Sequence, residues 1–288
     1  MNLAVFDIGG TTVKTAYYDG EKIYQKGSFL TPETFEKLVA RMRQNVEQNK
    51  IDGIAISAPG IVDIERGIIE GHSAVPYIHN RKIVAELESI FHTKVSIEND
   101  ANCAGICEVT IGAGKSFKNV AFVIMGTGVG GALFINGRLY KGSHLFGGEF
   151  GLIKNENGKI FSHNGSIVKA VNEYNLQHVE NPIKNGIELY CLANSGDVIA
   201  KNLLDSLYDH IAKVLYTLQV AFDFETFILG GGISERRELP QEISSRVSKL
   251  LNDEGMNKIM PNILSCAYHN DANLYGAAFC FTDKFVRK

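Results

Sequence analysis

The sequence contains no block of five or six like charges, and its formal net charge is −3 at pH 7. That leaves no electrostatic footprint for DNA, RNA or an anionic membrane, and it favours a small soluble partner. Uninterrupted apolar stretches run only a few residues, far short of the roughly 20 that a spanning helix needs. The first residues lack the basic region and long apolar run of a signal peptide, so the expected location is cytoplasmic. The five cysteines (Cys103, Cys107, Cys191, Cys266, Cys280) are odd in number and include no CxxC pair. This argues against a disulfide framework or a zinc knuckle and predicts buried free thiols. Cys103 and Cys107 stand one helical turn apart, but two such ligands without two more make a poor metal site. No GxxxxGK[ST] segment is present, and no glycine fingerprint of the dinucleotide-binding kind.

What is present suits two lobes: 288 residues, 45% of them apolar, can bury a sizeable core. Leu3 to Phe6 is apolar, Gly9-Gly10 turns the chain, and Thr11 to Tyr18 is rich in β-branched and aromatic residues. Asp19-Gly20 signals a hairpin before Lys22 to Phe29, so a three-stranded meander opens the fold. Thr31-Pro32 reads as an N-cap with proline at the first helical position, and Phe35, Leu38, Val39, Met42 and Val46 carry the helix to about Asn49. Strands at Gly53 to Ser57 and Lys94 to Ile97 then alternate with a helix at Ile83 to Ile90, which argues for a mixed, mainly parallel sheet.

The chain repeats this opening near Asn119. Val120 to Met125 is apolar, Gly126-Thr127-Gly128 turns, Gly130 to Ile135 is apolar, and Asn136-Gly137 signals a hairpin before Arg138 to Tyr140. A polar loop from Lys154 to Gly165 leads into mostly helix, the longest piece being Asp197 to Phe222. A strand at Thr226 to Leu229, a helix near Gln241 to Leu251, a strand at Ile263 to Cys266 and a helix from Ala272 complete the pattern. The expected class is α/β, with duplicated mixed sheets. The predicted division is a small lobe at 1–107, with helix 272–288 packed on it, and a large lobe at 108–271.

Three glycine turns each follow a short apolar strand: Asp7-Ile8-Gly9-Gly10-Thr11-Thr12, Gly126-Thr127-Gly128, and Gly230-Gly231-Gly232. Backbone that must approach a phosphate closely needs glycine, because a Cβ would block the approach. One such turn is an ordinary hairpin signal. Two strand-glycine-strand turns bearing Thr and one strand-glycine-helix turn match a nucleotide held between two lobes.

With these motifs the sequence resembles the ROK family (repressors, open reading frames and sugar kinases), within the sugar kinase, Hsp70 and actin superfamily. Asp7 to Lys14 (DIGGTTVK) is similar to its first phosphate motif, Ser57 to Val62 (SAPGIV) to its sugar-lobe signature, and Glu98 to Asn102 (ENDAN) to its catalytic motif. Gly126 to Ala132 (GTGVGGA) resembles the second phosphate motif, Gly147 to Gly151 (GGEFG) the sugar-binding loop, and Leu229 to Ile233 (LGGGI) the adenosine motif. The resemblance implies a two-lobed actin-like (ribonuclease H-like) fold and ATP-dependent phosphorylation of a hexose, usually at the 6-hydroxyl. It implies Asp100 as the base, Asn99, Asp100, Glu149, Pro59 and Gly60 at the sugar, and Gly9, Gly10, Thr11, Thr12 and Lys14 at the phosphates. The second and third glycine turns would complete the ATP site, with Asp7 holding Mg²⁺ through water. From the local sequence alone, Asp100 could as well be a helix N-cap and Asp7 a turn residue. His144, His163 and His269 read as lone, solvated histidines.

Many members of the family carry His directly after the GExG loop and a cysteine-rich segment beyond it, which together hold zinc. Here Leu152 takes the His position and the interval from Gly151 to Ser166 contains no cysteine, so no zinc is expected. An apolar residue with space beside it at the anomeric end of the sugar points to glucose or a β-glucoside; N-acetylmannosamine and fructose are the alternatives. A sugar-sensing regulator without kinase activity is the competing class. The first strand begins at Leu3, where a repressor would need a DNA-binding domain. A homodimer is the expected assembly.

Overall fold

The computed structural model describes residues 1–47, 49–155 and 157–286. It divides into two compact units, one formed by 1–110, 142–146 and 270–288, the other by 111–141 and 147–269.

In the first unit, β1 (Leu3–Ile8), β2 (Thr12–Tyr18) and β3 (Ile23–Leu30) make the opening meander. Helix α1 (Phe35–Val46) leads to β4 (Gly53–Ala58). A small hairpin of β5 (Ile61–Asp63) and β6 (Ile68–Glu70), α2 (Ile83–Phe91), β7 (Lys94–Asn99) and α3 (Asp100–Thr110) follow. The sheet order is β3-β2-β1-β4-β7. Strand β1 is buried on both faces, and its alternation feeds two cores. Ala4, Phe6 and Ile8 pack with Phe35, Leu38 and Met42 of α1 and with Leu87 of α2. Leu3 and Val5 pack with Cys103 of α3 and with Leu274, Ala277 and Phe281 of the C-terminal helix, Ala272–Phe285. Each large apolar side chain buried this way contributes ~1.5–3 kcal/mol. A Cβ on Gly276 would stand 1.8 Å from the Cys103 carbonyl oxygen, so glycine lets the C-terminal helix touch the backbone of α3.

In the second unit, β8 (Val120–Met125), β9 (Val129–Ile135) and β10 (Arg138–Leu139) form another meander. Helices α4 (Phe161–Asn164), α5 (Ile167–Gln177), α6 (Gly186–Asn194) and α7 (Val198–Phe222) precede β11 (Thr226–Gly230), α8 (Leu239–Asp253) and β12 (Asn262–Ser265). The order is β10-β9-β8-β11-β12, strand for strand the order of the first sheet. Leu204, Leu207, Ile211, Leu215 and Leu218 of α7 recur at helical spacing and pack on Ala121, Val123 and Met125 of β8.

Several expectations need correction. Each five-stranded sheet has two antiparallel and two parallel pairings, so neither is mainly parallel. Thr31 is not a helix cap: its N–H donates to Thr11 O and its hydroxyl to Gly9 O, which ties it to the meander. Thr34 caps α1 instead, accepting from Lys37 N–H, and the helix ends at Val46. The interval from Lys154 to Gly165 is not all loop, since Phe161 is buried and starts α4. Cys103, Cys107 and Cys266 are buried, but Cys191 is exposed. Its helix, α6, buries only Leu189 fully.

Candidate active site

In the first unit the parallel strands β1, β4 and β7 end at one level, and the predicted residues of that unit sit at those ends. Asp7 lies opposite Ser57 in the β1/β4 register, and Ala58 opposite Asn99 in β4/β7. Carboxyl ends of adjacent parallel strands are where α/β sheets place ligands.

Asp7 is buried, and its Oδ1 accepts from Ser57 Oγ at 2.7 Å and from Asn273 Nδ2 at 3.0 Å. Its Oδ2 stands 3.8 Å from Lys14 Nζ, which also donates to Asn270 O at 3.3 Å. The glycine turn beyond Asp7 is closed by Gly9 N–H donating to Thr12 O at 3.1 Å. A Cβ on Gly10 would lie 2.6 Å from Ala74 Cβ. Gly10 and Thr11 are exposed, and Thr12 opens β2.

The capping question at α3 resolves in favour of Asn99. Its Oδ1 accepts from Asn102 N–H at 3.0 Å, the bond an N-cap makes to the third helical residue. Its Nδ2 donates to Gly60 O and to Asp100 Oδ1, both at 3.0 Å. Asp100 is the first residue of α3, and its Oδ1 also accepts from Ala101 N–H at 2.8 Å. Gly60 has φ +107° and follows Pro59, so the turn that presents its carbonyl to Asn99 is one a glycine adopts readily. Beneath these residues Glu98 is buried, and its Oε1 accepts from Asn99 N–H at 2.7 Å and Asn102 Nδ2 at 3.1 Å. Burial, then the neighbouring Cys280 and the carboxylates of Glu98 and Asp7, pushes the Cys103 thiol well above its ordinary range. Fully buried in that core, Cys103 packs as an inert filler.

The second unit brings its two glycine turns together. Strands β8 and β11 are parallel neighbours with Ile124 opposite Gly230, so Gly126-Thr127-Gly128 and Gly230-Gly231-Gly232 leave adjacent strand ends. Gly126 N–H donates to Gly128 O at 2.8 Å, and Ser166 Oγ donates to Gly126 O at 2.6 Å. Ser162 Oγ accepts from Val129 N–H at 3.0 Å. Gly231 has φ +86°, and a Cβ there would lie 2.1 Å from Met125 O, whereas nothing stands within 4 Å of a Cβ on Gly126 or Gly232.

Glu149 precedes the turn Phe150–Leu152, in a loop whose glycines lie against backbone: a Cβ on Gly148 would meet Gly131 O at 2.6 Å, and one on Gly151 would meet Val129 O at 2.0 Å. Its side chain reaches solvent, yet the protein around the carboxyl desolvates it enough to raise its pKa above the ordinary glutamate value. Leu152 is 55% exposed. His144, His163 and His269 are exposed. Among the described residues no group of three or more His, Cys, Asp or Glu is arranged to hold a metal ion.

Sequence reasoning placed Ser57 and Glu98 in motifs without giving either a role, and it missed Asn273, Ser162 and Ser166. Ser57 was readable as the residue level with Asp7 on the next parallel strand. Asn273 carried no local signal, because only the packing of the C-terminal helix delivers it.

Residues 3–284 match the family model described as the ROK family. The chain belongs to the ROK family. It is 30% identical to a beta-glucoside kinase of Listeria innocua, over 98% of this chain and 97% of that one. A ROK family protein from Streptococcus pneumoniae, solved in complex with sucrose, is 35% identical with a TM-score of 0.91 over 100% of both chains. A ROK family glucokinase from Streptomyces griseus, in complex with glucose and AMPPNP, is 25% identical with a TM-score of 0.82 over 97% of this chain and 98% of that one. The two sheets of identical order are thus those of the actin-like ATPase fold, and this ROK protein is a carbohydrate kinase.

Proposed function

We propose that this ATP-dependent carbohydrate kinase phosphorylates the 6-hydroxyl of a glucose unit and accepts one that carries a substituent at C1, as in a β-glucoside or a disaccharide such as cellobiose. The observation that carries the chemistry is the placement of Asp100 on the first turn of α3, with Asn99 both capping that helix and bonding the carboxylate. Asn99 meets the capping need, and the Asp100 carboxylate is oriented through its Oδ1 by Asn99 Nδ2 and Ala101 N–H. It accepts the proton of the attacking hydroxyl as that oxygen bonds to the γ-phosphorus, while the bond to the bridging oxygen breaks and ADP leaves. Asn99, Glu149 and the Pro59-Gly60 turn hold the sugar hydroxyls, the amide offering donor and acceptor and the carboxylate acceptors.

The turns Gly9-Gly10-Thr11-Thr12, with Lys14, and Gly126-Thr127-Gly128 hold the phosphates, and Gly230-Gly231-Gly232 the adenosine. Asp7 fits a magnesium ion held through water: it is a single hard oxygen donor beside a glycine turn, and its Oδ1 is already fixed by Ser57 and Asn273. When bound, Mg²⁺ neutralises charge on the phosphate oxygens. Zinc has no part in this reading, because Leu152 stands where a His would.

The substrate reading rests on Leu152, apolar and exposed in the sugar-loop turn. Support comes from the beta-glucoside kinase and from the sucrose-bound relative, since sucrose is a glucose substituted at its anomeric carbon. We place the enzyme in the cytosol as a homodimer; among the described residues no helix is long and apolar enough to cross a membrane. The test is kcat/KM for glucose, methyl β-glucoside, cellobiose, N-acetylmannosamine and fructose under one set of conditions. C1-substituted glucosides should match or exceed free glucose. Preference for N-acetylmannosamine or fructose would overturn the substrate reading, and absence of ADP release with every sugar would make the protein a sensor.

A further inference from the structure

His79 stands between two turns of the first unit that carry the candidate site. It follows the single turn Pro76–Ile78, and the backbone on either side of its ring is pinned: its own N–H donates to Pro76 O at 3.2 Å, and Asn80 N–H to Ile69 O at 2.8 Å. The ring lies against Gly60, where a Cβ would meet His79 Cε1 at 2.7 Å. Gly60 is the residue whose carbonyl accepts from Asn99 Nδ2. Both ring nitrogens are engaged as well, Nδ1 at 3.2 Å from Glu70 O and Nε2 at 2.6 Å from Ser73 Oγ. A carbonyl only accepts, so the proton is on Nδ1 and Nε2 accepts from the Ser73 hydroxyl. Burial of the ring lowers its pKa against the opposing effect of the Glu70 carbonyl, which keeps this neutral form at neutral pH. Ser73 Oγ accepts in turn from Val75 N–H at 3.1 Å, and Val75 is fully buried. Between them, Ala74 lies over the phosphate turn, its Cβ 2.6 Å from where a Gly10 Cβ would stand.

We propose that His79 is a positioning residue that sets the spacing between the sugar turn at Gly60 and the phosphate turn at Gly10. Gly10 follows the end of β1 and Gly60 the end of β4, so the ladder between these strands does not reach either turn. A hydroxyl attacks the γ-phosphorus only when the two are held about 3–3.5 Å apart, and a misplacement of about 1 Å can cost on the order of a hundredfold in rate. One imidazole, packed on the first turn and hydrogen-bonded to the segment that covers the second, supplies that constraint. Such a role rests on the reading above that Asn99 and the Pro59-Gly60 turn hold the sugar and that Gly9-Gly10-Thr11-Thr12 hold the phosphates.

The experiment is steady-state kinetics of the full chain, with Mg·ATP and the best sugar of the panel above each varied, at a temperature well below every melting point. His79→Ala, Ser73→Ala and the double variant are compared with wild type. His79→Ala should lower kcat about tenfold while the KM for sugar and for Mg·ATP each change less than about threefold. Ser73→Ala cuts the same link from its other end, so it should also lower kcat, and the double variant should lose no more than His79→Ala alone. His79→Gln, whose amide oxygen can accept from Ser73, should recover part of the loss. A histidine with a structural role only would lower the melting temperature and leave kcat unchanged. If His79→Ala fails to fold, Ser73→Ala, which removes one hydroxyl, still gives the test. Wild-type kcat in the folded variants, or losses that multiply in the double variant, would overturn the proposal. Asn99→Ala separates it from the reading beneath it. Unchanged sugar kinetics in that variant would remove the sugar turn and the positioning role together, whereas a raised sugar KM there, with His79→Ala at wild-type kcat, would overturn the positioning role alone.

Discussion

Asp7 and Asn273 are 266 residues apart in the chain and joined by a hydrogen bond of 3.0 Å from Nδ2 to Oδ1. With Ser57 on the same oxygen, this bond fixes how the carboxylate presents its other oxygen.

Asn273→Ala should therefore lower kcat/KM for Mg·ATP about tenfold, since a hydrogen bond to a charged group contributes ~1.5–3 kcal/mol and part of that is recovered by water. The effect should fall on the nucleotide and leave the sugar KM near its wild-type value. Steady-state kinetics with each substrate varied in turn checks this; a change in sugar KM alone would contradict it.

Asp100→Asn should lose about 10²-fold or more in kcat with little change in sugar affinity, because the amide keeps hydrogen bonds but takes no proton. Turnover at the wild-type rate would leave Asp100 with a structural role only.

Gly231→Ala should destabilise the protein by ~2 kcal/mol or more, because it adds a strained φ to a collision with Met125 O, whereas Gly232→Ala, with open space at its Cβ, should fold normally. Thermal unfolding of the pair separates a backbone requirement from a ligand requirement. If Gly232→Ala folds but loses nucleotide affinity, the third glycine is there for the ligand.

Glu149 gives a pH test. Its folded pKa lies above the ordinary glutamate value because the surrounding protein desolvates the carboxylate. In that window the folded state binds more protons than the unfolded one, so stability falls as pH rises through the folded pKa. Glu149→Gln removes the ionisation, so its melting temperature should gain on wild type as pH rises from 4 towards neutrality. The same variant should bind sugar more weakly. A melting difference that does not vary with pH would show that the carboxyl is effectively in water.

Activity should persist in a zinc-selective chelator with Mg²⁺ in excess. Loss of activity that zinc alone restores would reveal a metal site that the Leu152 reading missed.

The strands and the three glycine turns were legible because both are local: apolar alternation marks a strand, and adjacent glycines end it. Asp100 was ambiguous because capping and proton transfer ask for the same residue type at a helix start, and the bond from Asn102 N–H to Asn99 Oδ1 gives the cap to Asn99. Thr31-Pro32 misled for a related reason. A hydroxyl before proline caps a helix well, but here the meander claims it through Gly9 O and Thr11 O. The β5/β6 hairpin went unread because its strands are three residues each, too short for a period to show. Asn273, the helix partner of Asp7, was hidden for a deeper reason, since no pattern within a strand says which distant helix will close over it.

The contact of the C-terminal helix with α3 and β1 also bears on the order in which the protein is made. The second unit is almost continuous in sequence, so its core can close without the residues after 269. The first unit begins earlier but finishes later. Until Leu274, Ala277 and Phe281 are in place, Leu3 and Val5 lack the helix that closes that face, and Asp7 lacks Asn273. A chain truncated before residue 270 and released should therefore carry a protease-resistant second unit beside a digestible first one, and the Asp7 end of β1 would be among the last parts of the molecule to set.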